Sequence, residues 1–326
     1  MRTVVSGDAV EVGDGAQLPV RPLVSVLVIT YMHEHYLRQS VESIAAQKID
    51  FPMEIVIAED CSPDGTLQVA LDLQQEFPAL VRVVHNLENK GANRNLRAGL
   101  NACRGSYIAG CEGDDFWVDE HKLARQVAAL DARPNVDLAF SRGYLQHPDG
   151  RAELGWDYGP ECRVVPAKEL FAGLGWIVPS ASMLWRAKVT AGLPEWLDDS
   201  PFADVILLMA ATVRGGAYYD PAPTIAYRVA QPTSFSVRLD AANRSERIRF
   251  LEGAVKYMRK GSAHFQFPYR LVRHRVDDLL LSSVKLQVAG GRYLSALRAG
   301  LGIDPAFLAK GLWRRLSAGR LTKAAR

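Results

Sequence analysis

The sequence predicts an α/β fold in which helices cover both faces of an open, mostly parallel β-sheet. Three observations support this fold class. Short apolar runs alternate at least four times with segments of helical spacing, which is the pattern of βαβ units. The first run, 23–30, is apolar almost throughout and rich in valine, as expected for a strand buried on both faces. From Asp240 onwards the pattern is helical, which adds a C-terminal helical extension.

Each element of the first half follows from its own pattern. After the first strand, Leu37, Val41 and Ile44 recur at helical spacing and predict the first helix. Pro78 follows the second helix and marks its end. The predicted strands are 23–30, 53–59, 81–85, 106–111 and 136–144, and the predicted helices are 35–47, 64–77, 93–102 and 120–130.

The alternation weakens after residue 150. A strand is predicted at 183–186 and a helix at 201–214. Two short strands, 218–219 and 225–228, are predicted around Pro221 and Pro223. In the C-terminal extension an apolar stripe predicts a helix that the pair Gly290-Gly291 ends.

Composition excludes several classes of protein. Among 326 residues, 48% are hydrophobic and 23% are charged, which is the composition of a folded globular chain rather than a disordered or fibrous one. No apolar run approaches the ~20 residues that span a bilayer. The N-terminus lacks the apolar core of a secretory signal, and the four cysteines show no CxxC spacing. These features predict a cytoplasmic protein with free thiols.

Charge is distributed unevenly along the chain. Residues 241–326 hold 18 Lys/Arg and 5 Asp/Glu, a net charge of +13, whereas the rest of the chain carries −10. Such an asymmetry predicts peripheral contact of the C-terminal region with an anionic membrane. A solvated basic helical face explains it equally well. The same helices could instead form a homodimer interface through Val272, Val276 and Leu279, and no nucleic-acid-binding module is recognisable.

An acidic segment, Glu112-Gly113-Asp114-Asp115, directly follows the predicted strand 106–111. Ligands of open α/β sheets bind beyond the carboxyl ends of the strands. Clustered carboxylates there suit Mg²⁺ or Mn²⁺, which bind one or two carboxylates and complete their shell with water and phosphate. The alternative is that the aspartates only cap the following helix.

A second polar turn, 59–66, follows the strand 53–59. Asp60 lies at the strand tip, where it could accept a hydrogen bond from a base or a ribose. Ser62, Asp64 and Gly65 are typical turn residues, so a purely structural Asx turn remains the alternative. The chain has no GxGxxG after the first strand, no Walker A lysine and no GxSxG elbow. Their absence disfavours nicotinamide dehydrogenases, P-loop NTPases and α/β-hydrolases.

These segments together resemble the inverting family-2 glycosyltransferases, which have the GT-A fold. The matching blocks occur in the family's order over more than 120 residues. They are 24–31, 39–47, 54–66, 89–91 with 94–95, 104–108 and 112–117, followed by Lys122, Leu123 and Gln126. The Glu-Gly-Asp-Asp-Phe-Trp form resembles a bacterial subgroup associated with surface polysaccharide synthesis.

The resemblance implies a domain organisation. Residues 22–238 would form the GT-A domain, with a nucleotide-sugar-binding half at 22–145 and an acceptor half at 146–238. Residues 1–21 would be a flexible N-terminal arm, and 239–326 a basic helical region.

The resemblance also implies roles for individual residues. The donor nucleotide-sugar would contact a set of residues around the strand tips. They are Thr30, Tyr31, Glu34, Asp60, Arg94, Asn95, Glu112, Gly113, Asp114 and Asp115. Within this set Asp60 would accept hydrogen bonds from the base, and Arg94 and Asn95 would border the diphosphate. Asp114 and Asp115 would hold Mg²⁺ or Mn²⁺, with Asp114 the direct ligand in the family's register.

Asp204 stands where the family has its catalytic base, although Ala203 replaces the acid that usually precedes it. A first-turn acid that complements the helix dipole is the structural alternative. The implied reaction is transfer of a sugar from a nucleotide-diphosphate sugar, a UDP-sugar, to a saccharide or lipid-linked saccharide acceptor. The alternatives are a non-catalytic nucleotide-sugar-binding or scaffold protein and a sugar-1-phosphate nucleotidyltransferase. The nucleotidyltransferase is disfavoured because 30–34 lacks the glycines of its loop.

Overall fold

The computed structural model of the chain describes residues 2–6, 9–12, 17–172, 177–231, 234–305 and 307. Within these residues twelve strands form one mixed sheet, in the order β1-β2-β5-β4-β3-β6-β11-β8-β12-β10, with β7 paired to β12 and β9 to β8. The strands are β1 Arg2–Ser6, β2 Ala9–Val12, β3 Val24–Thr30, β4 Met53–Glu59, β5 Val81–Asn86, β6 Tyr107–Glu112, β7 Phe116–Trp117, β8 Leu138–Gln146, β9 Ala152–Gly155, β10 Arg163–Val165, β11 Leu184–Arg186 and β12 Ala217–Arg228.

Helices cover the sheet and continue beyond it. They are α1 Leu37–Ala45, α2 Thr66–Glu76, α3 Ala92–Ala102, α4 Lys122–Asp131, α5 Ala167–Leu170, α6 Lys188–Ala191, α7 Ala203–Thr212, α8 Phe235–Ala241, α9 Arg244–His264, α10 Tyr269–Ala289 and α11 Tyr293–Gly300. Two 3₁₀ turns, Ser180–Ser182 and Glu195–Asp199, connect strands and helices of the second half.

The parallel part of the sheet is the part that the sequence predicts best. β3 pairs in parallel with β4 on one side and β6 on the other, and β4 pairs in parallel with β5. All seven residues of β4 are buried, because helices cover both faces, as the apolar run predicts. The α/β fold class is confirmed, and the carboxyl ends of β3, β4 and β6 meet at one edge.

The N-terminal segment differs from the prediction of a flexible arm. β1 and β2 form an antiparallel hairpin, and β2 pairs with β5. Glu11 of β2 binds the buried guanidinium of Arg82 with an Nε–Oε1 distance of 2.7 Å. Strand pairing with a distant partner leaves little local signal, so the sequence pattern of residues 2–12 did not reveal it.

β12 is one strand of twelve residues where the sequence predicts two short ones. Its parallel pairing with β8 shifts register between Asp220 and Pro223 and again between Pro223 and Ile225. The prolines remove ladder donors, and the strand passes them by these shifts instead of ending. β12 therefore carries Arg228 to the same edge as the end of β6.

The C-terminal helices pack on the domain rather than standing apart from it. α9 contacts both α7 and α10. Val272 and Val276 are fully buried in this chain's own core, so the prediction that they form a homodimer interface is wrong. None of the helices that the structure describes has the length and apolarity to span a membrane.

Candidate active site

Three loops meet at the carboxyl edge of the parallel strands. They follow β3, β4 and β6, and backbone hydrogen bonds tie them to the strand ends. The N–H of Asp60 donates to the carbonyl of Thr30 at 3.2 Å, and the N–H of Gly113 donates to the carbonyl of Ile29 at 2.9 Å. The sheet therefore fixes the polar residues of all three loops relative to one another.

The acidic segment after β6 packs closely against the loop after β3. A Cβ on Gly113 would lie 2.7 Å from Thr30 Oγ1 and 2.8 Å from His33 Nδ1, so only glycine fits there. The next side chain, Asp114, is nearly buried, and its Oδ1 lies 3.7 Å from His33 Nε2. Burial lowers the pKa of His33.

Glu112, the first residue of the acidic segment, is affected by the charge of Asp204. Its carboxyl is enclosed by protein and accepts a hydrogen bond from Ser180. Burial raises its pKa to about 7, and the negative charges of Asp114 and Asp204 add to the increase. Asp204 itself is exposed at the start of α7, yet desolvation by the surrounding protein raises its pKa. The charge of Asp204 acts on the Glu112 carboxyl, so the start of α7 lies near the end of β6.

Asp115 is bonded to the end of β12. It is 1% exposed, and its Oδ1 accepts a hydrogen bond from the backbone N–H of Arg228 at 2.9 Å. The Arg228 guanidinium donates to the carbonyl of Asp114 and lies over the rings of Tyr36 and Phe116. Asp115 therefore anchors the end of β12 to the acidic segment through Oδ1, while its Oδ2 is a buried oxygen without a hydrogen-bond partner.

The Asp60 carboxylate accepts hydrogen bonds from one side-chain amide and two backbone amides. Its Oδ1 accepts from Asn86 Nδ2 at 2.9 Å and from the N–H of Lys90 at 3.0 Å, and its Oδ2 accepts from the N–H of Gly91 at 2.8 Å. These donors fix the orientation of the carboxylate at the tip of β4. Asn95 supports this arrangement from beneath, because its Oδ1 accepts from Asn86 and its Nδ2 donates to the carbonyl of Ala58.

The other predicted donor contacts differ in how accessible they are to a ligand. Tyr31 is half-buried at the tip of β3, and Arg94 is exposed. Thr30 and Asn95 are buried and lie beneath the surface of the site, which argues against direct contact with a donor. Glu34 accepts a hydrogen bond from the N–H of Gly65 at 2.6 Å, so it joins the loops after β3 and β4.

Side chains of helix α3 bind the segment that precedes Asp204. Asn93 Nδ2 donates to the carbonyls of Leu197 at 3.0 Å and Ser200 at 2.5 Å. Arg97 Nε donates to Asp198 Oδ1 at 2.5 Å, and Arg94 lies 3.6 Å from Asp199. The first turns of α3 thus connect the loop that holds Asp60 to the start of α7.

The acidic segment fits a cation shared with a phosphate-bearing ligand. In the described parts of the chain no three His, Cys, Asp or Glu side chains are arranged to enclose a metal by themselves. Mg²⁺ and Mn²⁺ sites of the nucleotide-binding kind need only one or two carboxylates beside water and phosphate. Asp114 supplies one, and Glu112 Oε2 is a buried oxygen without a hydrogen-bond partner.

Comparison with known proteins agrees with this geometry. Residues 25–175 match the family described as Glycosyl transferase family 2. This part of the chain is similar to family-2 glycosyltransferases. The match begins in β3 and includes all three loops of the edge.

Proteins that resemble part of this chain are found in several bacteria. An uncharacterised protein of Mycobacterium tuberculosis is 37% identical over 126 residues, 39% of this chain and 36% of the relative. The putative teichuronic acid biosynthesis glycosyltransferase TuaG of Bacillus subtilis is 32% identical over 141 residues, 43% of this chain and 54% of the relative. The putative glycosyltransferase EpsE of B. subtilis is 34% identical over 110 residues, 34% of this chain and 39% of the relative. The chain spans about a third to a half of the length of these relatives.

Solved structures share the fold over most of the chain. S. aureus TarS 1-349 in complex with UDP-GlcNAc has a TM-score of 0.55 at 16% identity, covering 85% of this chain and 90% of that one. The mannosyltransferase PcManGT from Pyrobaculum calidifontis, in complex with GDP-Man and Mn²⁺, has a TM-score of 0.55 at 19% identity, covering 93% and 82%. The fold is therefore GT-A, as the resemblance implies.

The structure adds residues to the site that sequence reasoning did not include. They are His33, Asn86, Ser180 and Arg228. His33 follows the first strand closely, which was a signal for it. Asn86 and Ser180 come from segments that carry no motif of their own, and the pairing of β12 with β8 brings Arg228 to this edge.

Proposed function

We propose that the protein is a metal-dependent inverting glycosyltransferase. It moves one sugar from a nucleotide-diphosphate sugar, a UDP-sugar, to an acceptor hydroxyl in bacterial surface polysaccharide or glycoconjugate synthesis. The observation that supports the proposal is the position of the acidic segment 112–115 at the end of β6, with Asp204 near enough for its charge to act on Glu112. The segment lies at the carboxyl edge of parallel strands, where such folds bind nucleotides.

Asp204 is the proposed general base. Its exposed carboxyl is open to an acceptor, and its raised pKa makes it a stronger base than an ordinary aspartate. It removes the proton of the acceptor hydroxyl while the oxygen attacks the sugar C1 from the face opposite the diphosphate. A positioned base of this kind contributes about 10²–10⁴-fold to the rate, and a single displacement inverts the anomeric centre.

Donor binding is proposed for three residues at the strand tips, of which Tyr31 and Arg94 are accessible and Asp60 is buried with its orientation fixed. The fixed carboxylate of Asp60 accepts an N–H of the base, beside the half-buried ring of Tyr31. Arg94 lies at the start of α3, where its charge attracts the diphosphate. The buried residues Thr30, Asn95 and Asp115 support the loops that carry these donor-binding residues.

Asp114 is the proposed metal ligand, with Glu112 close enough to contact the cation directly or through water. A bound Mg²⁺ or Mn²⁺ would supply positive charge against the negative charge that develops on the departing diphosphate. His33 Nε2 lies 3.7 Å from Asp114 Oδ1, and burial lowers the pKa of His33.

The names of relatives and neighbours support the substrate class. TuaG is named for teichuronic acid biosynthesis, TarS is seen with UDP-GlcNAc, and PcManGT is seen with GDP-Man and Mn²⁺. We propose a saccharide or lipid-linked saccharide acceptor, and membership in the bacterial subgroup with the Glu-Gly-Asp-Asp-Phe-Trp segment. We also propose a cytoplasmic protein that works peripherally at the inner face of the plasma membrane, and a homodimer stays a proposal without an assigned interface.

Two variants test the assignment. Asp204→Asn is expected to keep Mn²⁺-dependent UDP binding in calorimetry, and to lower UDP release from a panel of UDP-sugars by 10²-fold or more. Asp114→Ala is expected to lose the Mn²⁺ dependence of UDP binding. Unchanged turnover in Asp204→Asn would show that the base lies elsewhere. UDP binding with no turnover in the unmodified protein, with water or glycan acceptors, would favour a non-catalytic nucleotide-sugar-binding protein instead.

A further inference from the structure

The end of the helical region presents an unusual concentration of exposed apolar side chains. Of the large apolar residues that are exposed in the described parts of the chain, half lie between residues 288 and 301. They are Val288, Tyr293, Leu294, Leu297 and Leu301. Leu294 and Leu301 are 78% and 79% exposed, and Tyr293 and Leu297 are 68% and 62% exposed. Single exposed leucines are common on protein surfaces, but a contiguous group marks an interaction site.

Four of these residues form one stripe on α11. At 100° per residue, Tyr293, Leu297, Leu301 and Leu294 fall within an arc of about 100°. Ala296 lies on the other side of the helix and is buried, where α11 packs against α10. The helix thus uses small residues for its contact with the domain and turns its large apolar residues outward.

Positive charge surrounds the stripe. Arg292 and Arg298, at the start and near the end of α11, are exposed, and so is Lys285 on α10. The sequence beyond the last described residue holds no acidic residue, and its basic residues are Lys310, Arg314, Arg315, Arg320, Lys323 and Arg326. Apolar residues on one face with basic residues beside them are the pattern of helices that lie in a membrane interface.

We propose that α11 docks the protein onto an anionic lipid bilayer. Tyr293, Leu294, Leu297 and Leu301 enter the region between headgroups and acyl chains, and Arg292 and Arg298 bind lipid phosphates. The proposal deepens the peripheral membrane location given above by naming the contact face. It concerns where the protein works and does not depend on the sugar transfer, so vesicle binding tests it separately.

A second copy of the chain fits this face less well. Four side chains of this size expose at most a few hundred Å², whereas a stable interface buries about 800 Å² on each partner. A two-fold contact would also bring two regions of net charge +13 together. An anionic surface has the opposite charge, and it meets the stripe without requiring a matching shape.

Sedimentation of the full-length protein with vesicles tests the proposal. We expect binding to vesicles of equal parts phosphatidylglycerol and phosphatidylcholine, little binding to phosphatidylcholine alone, and weaker binding as salt increases. Leu294→Ser with Leu297→Ser is expected to lower the partition coefficient tenfold or more. Arg298→Gln is expected to lower it about fivefold.

Leu154→Ser provides the matched control, since Leu154 is an exposed leucine on β9, far along the chain from α11. It is expected to bind vesicles like the unmodified protein. Equal thermal stability of all the variants will show that the substitutions do not unfold the chain. If the double leucine variant binds vesicles unchanged, α11 is not the docking face. If light scattering gives twice the chain mass, and the double variant halves it, the face joins two copies and the membrane proposal is overturned.

Discussion

Lys122 shows how one buried charge makes stability depend on pH. Its side chain is fully buried, with Nζ donating to Gln126 Oε1 at 2.9 Å and lying 4.1 Å from the centre of the Trp117 ring. No carboxylate pairs with it at hydrogen-bond distance among the described residues. Burial therefore lowers its pKa to about 7, from 10.5 for an exposed lysine.

The lowered pKa of Lys122 makes the folded protein more stable as the pH increases. Between pH 7 and pH 10.5 the unfolded chain binds more protons at this residue than the folded one, so stability increases with pH through this window. Lys122→Met removes the titrating group and keeps most of the volume. We expect the variant to show a smaller gain in urea-unfolding free energy between pH 7 and pH 9 than the unmodified protein.

Lys285→Met is the control for that measurement, because Lys285 is exposed on α10. It is expected to keep the pH dependence of the unmodified protein. The same slope in Lys122→Met would mean that the buried amine stays protonated on folding or is not enclosed as the structure has it.

At the scale of elements, α3 sets the position of the segment that precedes Asp204. Asn93 makes the main contact between α3 and this segment, because its Nδ2 donates hydrogen bonds to the carbonyls of both Leu197 and Ser200. Asn93→Ala leaves both carbonyls without this donor, at a cost of roughly 1–3 kcal/mol. The start of α7 then loses its fixed distance from the acidic segment.

We therefore expect Asn93→Ala to lower kcat about tenfold or more while the KM for the donor changes little, because even small misplacement of a reacting group is costly. Steady-state kinetics with a UDP-sugar measures the two constants separately. Gln68→Ala on α2 is the control, since Gln68 is exposed and its Nε2 binds only Asp72, at 2.8 Å, among the described contacts. A larger change in KM than in kcat would place Asn93 in donor binding instead.

The sequence predicts elements well where the pattern is local and strong. The boundaries of β3 and β4 agree with the prediction to within one residue, because a strand buried on both faces is apolar throughout. The sequence also predicts that a cluster of acidic residues follows β6. The sequence could not show that Asp115 faces inward, because that depends on β12 bringing the Arg228 backbone against it.

The hairpin of β1 and β2 belongs to the scale of the whole molecule. It was missed because its stability comes from pairing with β5, about 70 residues further along the chain, and from the bond between Glu11 and Arg82. That bond is bidentate, with Nε–Oε1 and Nη2–Oε2 distances of 2.7 and 2.8 Å. Arg82 also binds Glu54 at 3.1 Å, so the hairpin completes a charge network inside the protein.

Removing residues 1–16 is expected to have two separable consequences. β5 becomes an edge strand with open backbone groups, which promotes pairing between molecules, and Arg82 loses one of its two carboxylates. We expect a lower melting temperature together with concentration-dependent association in light scattering. Glu11→Gln keeps the strand and removes only the charge, so it is expected to lower the melting temperature by less and to leave the chain's association state unchanged. A truncated chain that melts and scatters like the intact one would mean that the hairpin adds nothing to the sheet, and association in Glu11→Gln would mean that charge, rather than an open edge, controls self-pairing.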